Sequence, residues 1–399
     1  MIPNKVIIWG IDNFNTLGLL RQLGEDANLF FLVLGNLTGC ATSSKYCKEF
    51  AATRTIEDGF DFLNNHFSCE SQKPVIITPG DEIIEFIDQH KAEFEERFIV
   101  PGTKVPGVLT KYDNKIEMAK LAEEVGMDVP FSKVCKWDVS LDDVVYPCIL
   151  KPSHIKSGHK NEFKYKRVSN RKELEKALKL VRKDSVFLLQ QFIPTEKEFV
   201  ISGCRMMDGR IIISGTYTSL RYADDGNSSY ATITDELPPM IDVAKIKQYL
   251  TKMDYYGLFG FEYGLSNGKA YFFEVNLRND GTSQTFFRSG ANRVLAWVYN
   301  AIGMEDTQIC TTVQRPGSFM DELMDVVNVW HGNISRKKWR EQRDEATYLK
   351  YIDPCDMRPY EVMRRKKWLL LLQYAVVKKY RLYIVYMMDR IKSLKRNKD

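Results

Sequence analysis

The 399-residue chain has eight cysteines, at positions 40, 47, 69, 135, 148, 204, 310 and 355, but no CxxC pair and no CxxC-HxxxH spacing. That excludes a zinc finger, a dithiol redox motif and a dense disulfide framework, and leaves reduced core or surface thiols as the expectation. No G-x-x-x-x-G-K-[ST] run and no G-x-S-x-G elbow occurs, so neither a P-loop nor a hydrolase nucleophile turn is present. Long apolar runs are missing too. The longest without a charge, Trp368 to Val377, is broken by Gln373 and falls far short of the roughly 18 apolar residues of a membrane span. Near the N-terminus, Val6 to Trp9 is too short for a signal h-region. A cytoplasmic protein is expected.

Neither sign of charge dominates. Lys plus Arg is 57 and Asp plus Glu is 52, a net +5. Residues 361–399 carry twelve basic and three acidic side chains, a local +9, so the rest of the chain stands at about −4 (+5 less +9). A mildly acidic body gives no support to nucleic-acid binding. The 44% hydrophobic and 27% charged fractions are those of a globular protein, and the length suits two or three domains.

Along the first hundred residues, short apolar runs alternate with helical patterns. Val6–Trp9, Leu29–Leu34 and Val75–Thr78 read as strands, and Asp81 as the N-cap of a helix to about Glu96. Alternation of this kind implies a parallel sheet covered on both faces. Gly10-Ile-Asp-Asn-Phe lacks the GxGxxG run of a dinucleotide site, so a structural α/β domain is expected there. Val100 to Gly107 is rich in Pro and Gly and marks a boundary. Beyond it, Lys111 to Gly126 reads as one helix, followed by strands at 131–135, 145–151 and 162–168, a helix at 171–182, and β-rich sequence to Asn276. Ser318–Trp330 and Arg336–Tyr348 read as two further helices.

The most informative stretch runs from Gly260 to Gly281. It reads as a hairpin with a turn at Ser266-Asn-Gly268, Asn-Gly being the strongest short turn signal. A period of two puts Glu274, Asn276 and Arg278 on one face of the return strand, with Phe273, Val275 and Leu277 turned to the core. Glu262 lies across the turn, where pairing brings it beside Glu274. Two carboxylates and an amide oxygen suit Mg²⁺, and a guanidinium suits phosphate or an oxyanion. The pattern alone leaves a solvated strand face with an incidental Glu–Arg pair equally open.

This hairpin, with Glu262, then Glu274 twelve residues on and E-x-N-x-R, resembles the metal-binding hairpin of the ATP-grasp superfamily. Other segments are similar to that family's pattern in the same order. Tyr112-Asp-Asn-Lys115, leading to Gly126-Met-Asp-Val-Pro130, is similar to its DK…GxxxP segment. Cys148-Ile-Leu-Lys151-Pro resembles its second-lysine strand, and Leu188-Leu-Gln-Gln-Phe-Ile193 its hinge. The resemblance implies ATP contacts from Lys115 and Lys151, adenine contacts from Gln190, Gln191, Phe192 and Ile193, and ribose contacts from Glu198. It implies Mg²⁺, or Mn²⁺ in its place, at Glu262, Glu274 and Asn276, with Arg278 and Lys151 acting on the transferring group.

The implied fold is α/β and α+β. A Rossmann-like pre-ATP-grasp domain (1–108) precedes a small lid subdomain (109–186), a large subdomain with the metal hairpin (187–306) and a helical basic C-terminal extension (307–399). The implied reaction is ATP-dependent carboxylate–amine ligation through an acyl phosphate, on small-molecule or glycan-linked substrates such as an amino acid and a cell-envelope or polysaccharide precursor. A non-catalytic ATP-binding scaffold or sensor is the rival. Thr218 to Gly226 resembles a stretch of D-aspartate ligase-like enzymes, which implies that Arg221 is the acceptor or carboxylate clamp; a surface Arg beside Asp224 and Asp225 is the other reading. Ser43-Ser-Lys-Tyr46 also resembles a segment of that subgroup. Where the family's phosphate-covering loop belongs, Ser153 to His159 has one glycine, Gly158, and offers His154, Lys156 and His159 instead. The basic, aromatic-rich tail at 364–396 suits either peripheral contact with an anionic membrane or packing on the enzyme or on a second copy in a homodimer.

Overall fold

In the computed structural model, residues 2–136, 140–141, 143–152, 165–181, 186–224, 226–304 and 308–367 are described. The chain begins with β1 (Lys5–Gly10), α1 (Phe14–Leu23), β2 (Asn28–Leu34), β3 (Phe50–Thr53), α2 (Ile56–Phe67), β4 (Val75–Ile77), α3 (Asp81–Gln89) and α4 (Lys91–Arg97). These strands form a four-stranded parallel sheet in the order β3-β2-β1-β4. Alternation along β1 explains its two covered faces. Val6 and Ile8 pack with α1 residues Leu17 and Leu20 on one side, while Ile7 and Trp9 pack with Leu63 and Ile87 on the other. The loop after β1 is closed by Asp12, whose carboxylate accepts from the backbone N–H groups of Thr38, Gly39, Ala41 and Thr42 and from the Thr42 hydroxyl. An acid of the chain itself thus takes the amides that a phosphate would need.

The helix expected from Asp81 to Glu96 divides at His90, and its N-cap is Gly80, which leaves Asp81 as the first helical residue. The Pro/Gly boundary is anchored rather than free. Its short β5 (Gly102–Thr103) pairs with Tyr255 and Tyr256, and Thr103 is fully buried.

Next come α5 (Val108–Asp113) and α6 (Lys115–Glu124), where one helix was expected. Asn114 leaves helical conformation, with ψ 118°, and caps α6 by accepting from the Ile116 N–H. The lid sheet follows: β6 (Ser132–Cys135), β7 (Cys148–Pro152), β8 (Lys166–Val168) and β9 (Phe187–Gln191), in the order β6-β9-β7-β8, with α7 (Arg171–Leu178) on one face. Since β9 is an inner strand of this sheet, the lid's core extends past residue 186. Helices α5 and α6 instead pack through Leu109, Met118 and Leu121 into the larger core.

That core is built on β10 (Lys197–Arg205), β11 (Ile211–Tyr222), α8 (Val243–Lys252), β13 (Tyr255–Ser266) and β14 (Lys269–Asn276), while β12 (Ser228–Thr234) and α9 (Ser283–Arg288) pack into a separate cluster and α10 (Arg293–Ala301) packs into the core around α1. The sheet runs β14-β13-β10-β11-β12 and continues into the C-terminal segment through β15 (Gly317–Met320) and, after α11 (Val327–Trp330) and α12 (Arg336–Glu345), β16 (Tyr348–Leu349). Here the expectation of a purely helical extension is corrected. Residues 317–320 are not helical because β12 offers an open edge, and Phe319 fills a core beside Tyr217. The second expected helix stops at Glu345, three residues early, where β16 begins to pair with β15.

This segment also reaches back to the N-terminal unit. Arg21 on α1 donates through Nε to Asp356 at 2.9 Å and through Nη2 to the carbonyls of Tyr351 and Asp356, while Ser44 and the Lys45 N–H donate to the same carboxylate. Both charged side chains are 1% exposed. Residues 358–367 are helical; the tail from 368 lies outside the described residues. Among the described residues, no helix is long and apolar enough to cross a membrane, and all eight cysteines are free.

Candidate active site

Strand register builds the site. In the antiparallel pairing of β10 with β13, Glu198 faces Gly264 and Val200 faces Glu262. In that of β13 with β14, Glu262 faces Glu274 and Gly260 faces Asn276. Directly paired residues point to the same side, so Glu198, Glu262, Glu274 and Asn276 share one face of the sheet. The opposite face carries Phe199, Ile201, Phe261, Tyr263 and Phe272 into the core. The turn forms at Asn267 and Gly268, both with positive φ (50° and 75°), as Asn-Gly requires. One detail differs from strict alternation. The register slips between Glu262 and Tyr263, so Phe272 rather than Phe273 enters the core, and Phe273 packs over Gly264 instead.

Glu262 accepts from Asn276 Nδ2 at 2.8 Å. Burial first, then the charge of Glu274, pushes Glu262 up to about 8, against the Asn276 hydrogen bond and Lys115. Two half-buried carboxylates side by side attract a cation, because each destabilises the other's charge. Lys115, first residue of α6, reaches round the edge strand β14 and meets Glu274 Oε2 at 2.9 Å. Burial lowers the Lys115 pKa, but Glu274 outweighs that and raises it overall. Among the described residues no group of three or more His, Cys, Asp or Glu gathers around one point. The hairpin therefore offers two carboxylates and an amide, a partial set that fits Mg²⁺ completed by phosphate oxygens and water.

The other expected residues have definite partners. Arg278 makes a two-point fork with Asp81 of α3, Nη2 to Oδ2 at 2.9 Å, and donates to the Asn279 carbonyl. Burial lowers its pKa but Asp81 outweighs that, so it stays charged. Asp280 follows, 6% exposed, with one oxygen lacking a hydrogen-bond partner and lying where a side chain on Gly260 would sit. In the lid, Lys151 Nζ donates to Gln190 Oε1 at 2.7 Å, and Gln190 Nε2 donates to Ser132 at 3.1 Å. The Gln190 amide thus orients Lys151 rather than standing open to a base. The backbone N–H groups of Gln191 and Phe192 donate to Phe131 and Pro147, Ile193 is buried, and the Arg167 guanidinium lies 3.9 Å above the Phe192 ring.

Arg221 is engaged within the chain rather than open to a ligand. Its Nε donates to Asp325 Oδ1 at 2.8 Å, its Nη1 to Gln342 at 3.0 Å, and its guanidinium stacks on Tyr230. Its fork is filled by a fully buried carboxylate of the chain, so it ties β11 to the C-terminal segment. Residues the sequence did not single out are Asp81 as the partner of Arg278, Asp280, and Tyr222 with Thr195, which both bond Glu198. Nothing in the linear pattern pairs them; only strand register and domain docking do. Ser153 to His159, with His154, Lys156 and Gly158, lies outside the described residues.

A lid sheet and a large antiparallel sheet bearing a paired-glutamate hairpin are the parts of an ATP-grasp fold. Residues 120–285 of the chain match the family model described as the ATP-grasp domain. It is 24% identical over 238 residues to a formate-dependent phosphoribosylglycinamide formyltransferase of Sulfurisphaera tokodaii, covering 54% of this chain and 57% of that one. It is 23% identical over 261 residues to a D-aspartate ligase of Enterococcus faecium, covering 59% and 61%. The matches thus span less than two thirds of these relatives. Among solved structures, N5-carboxyaminoimidazole synthetase from Staphylococcus aureus complexed with ADP superposes with TM-score 0.64 at 13% identity, covering 86% of this chain and 87% of that one. An L-amino acid ligase from Bacillus licheniformis gives 0.60 at 16%, covering 80% of each. The fold is shared along most of the chain.

Proposed function

We propose that the protein is an ATP-dependent carboxylate–amine ligase that works through an acyl phosphate. The observation that carries this reading is the register of Glu262 against Glu274 with Asn276 bonded to Glu262, a partial divalent-cation set on the same face as Glu198. Mg²⁺, or Mn²⁺, bound there would neutralise charge on the transferring phosphoryl group. Glu262, Glu274 and Asn276 would hold it, and Lys115 and Lys151 contact the phosphates, with Gln190 orienting Lys151; Gln191, Phe192 and Ile193 line the adenine side, and Glu198 takes the ribose.

In the first half-reaction a substrate carboxylate oxygen attacks the γ-phosphorus, and the bond to the β,γ-bridging oxygen breaks to release ADP. An amine then attacks the acyl carbon and inorganic phosphate leaves, while the amine gives up its proton. Arg278, held in place by Asp81, stabilises the negative oxygen that develops in this step. The chemistry suits small carboxylic acids, a class that recurs in the names of the relatives: formate, D-aspartate, L-amino acid. We further propose that the amine belongs to a cell-envelope or polysaccharide precursor and that the basic tail brings the enzyme to an anionic membrane. Failure of the full chain to float with anionic liposomes would sink that last element.

The direct test is Mg²⁺-dependent ADP release against pools of amino acids and amino sugars, with Glu274→Gln alongside. Release that needs a particular pool and disappears in the variant supports ligation. ATP binding with no release from any pool, glycan-linked amines included, favours a scaffold.

A further inference from the structure

Glu198, the candidate ribose acid, does not stand alone. Thr195 Oγ1 donates to its Oε1 at 3.2 Å, and the Tyr222 hydroxyl donates to its Oε2 at 2.6 Å. A carboxylate has about four acceptor positions, two on each oxygen. One on each is taken, which leaves one on each for a ligand. Two adjacent acceptors of this kind match two vicinal hydroxyl groups.

The placement of Tyr222 is built into the strand. Pairing of β11 with β12 slips between Ser219 and Arg221, leaving Leu220 as an extra residue, and slips back between Arg221 and Tyr222, leaving Ser229 as an extra residue opposite. This paired irregularity breaks the simple alternation at the strand end. Arg221 therefore falls on the side of its cross-strand partner Tyr230, and Tyr222 falls on the side of Glu198, which pairs with Ser219. The C-terminal segment fixes this geometry from behind. Asn328 Nδ2 donates to the Tyr222 carbonyl at 2.9 Å, and Asp325 holds the neighbouring Arg221. The ring itself is 39% exposed and so borders the open site. Burial, then the hydrogen bond to Glu198 and the charges of Glu198 and Glu262, push the phenol up, so it remains a proton donor at neutral pH.

We propose that Tyr222 is a positioning residue for ribose recognition, fixing Glu198 so that its two remaining acceptor positions face the 2′- and 3′-hydroxyls of the nucleotide. This rests on the ATP-dependent reading above and adds to it a residue and a selectivity. The C-terminal segment gains a role as well, since it holds the strand end from which Tyr222 reaches the site.

The test uses the full chain with Mg²⁺ and measures binding of ADP and 2′-deoxy-ADP by calorimetry. The wild type prefers ADP. In Tyr222→Phe that preference shrinks about tenfold, the scale of losing one hydrogen bond to a charged acceptor, while affinity for 2′-deoxy-ADP changes little. Thr195→Val shifts the ratio in the same direction and serves if Tyr222→Phe does not fold. An unchanged ratio in both variants, or tighter ADP binding once the phenol is gone, overturns the inference and leaves the nucleotide site standing. A wild type that binds neither nucleotide overturns the ATP-dependent reading itself, and the inference with it.

Discussion

Removing the charge of Asp356 should loosen the clasp between the two ends of the chain. Asp356 and Arg21 each expose 1% of their side chains, and Arg21 has no other carboxylate in its hydrogen-bond set, only the carbonyls of Tyr351 and Asp356. In Asp356→Asn the guanidinium remains buried without its counter-charge, and breaking one partner of such a pair costs about 3–5 kcal/mol. The lower end applies, since the asparagine oxygen still accepts from Ser44 or Arg21. About 3 kcal/mol corresponds to more than a hundredfold in the equilibrium for local opening. Hydrogen exchange of α1 and of residues 347–356 reads this directly, without requiring the multidomain chain to unfold in one step. Arg21→Met leaves Asp356 with the Ser44 and Lys45 donors, so the double variant should lose clearly less than the two single losses combined. Additivity within about 0.5 kcal/mol, or a single-variant effect below about 1 kcal/mol, would refute the view that these charges depend on each other in a dry interface.

Lys115→Met removes the ammonium paired with Glu274, so Mn²⁺ should bind the nucleotide-free variant more tightly than the wild type by electron paramagnetic resonance; equal or weaker binding counts against competition between the ammonium and a cation for Glu274. Gly260→Ala drives a methyl group into the Asp280 carboxylate and should cost about 1–3 kcal/mol and weaken ADP binding, whereas an unchanged melting temperature would show that the loop yields freely. For pH, burial and Asp321 push Glu322 up to about 7, against the backbone N–H groups that donate to it. Its folded value lies above its unfolded one of about 4.5. The folded state therefore holds the extra proton between these values, and stability should fall as pH rises from about 4.5 to 7. Glu322→Gln should remove that part of the slope in melting temperature, and an unaltered slope would assign it to other groups.

The hairpin was legible because its signals are local: a period of two along β14 and an Asn-Gly turn that needs positive φ. Paired across that turn, Glu262 and Glu274 followed from counting residues. The slip at Tyr263 did not follow, since nothing in the linear sequence marks which residue of a strand will be extra. Arg221 shows a different gap. Its buried partner, Asp325, is 104 residues away, and a charged residue looks the same in sequence whether it meets ligand, water or a distant acid. For Gln190 the place in the hinge strand is legible in the chain, but not that Lys151 and Ser132 engage its amide. The C-terminal strand at 317–320 is hidden in the linear pattern because four residues are too few to display a strand period, and the edge it completes is supplied by β12.

That completed edge affects how the protein can be made. Strand β12 acquires its neighbour only through residues 317–320, and β15 acquires its own through Tyr348 and Leu349. The clasp on α1 joins residues 335 positions apart. During synthesis the large sheet therefore stays open on one side until nearly nine-tenths of the chain has been assembled, with unpaired backbone groups available to any other strand. Products truncated between residues 300 and 350 would retain the hairpin and the lid but carry this open edge. Such fragments should enter inclusion bodies where the full chain remains in solution.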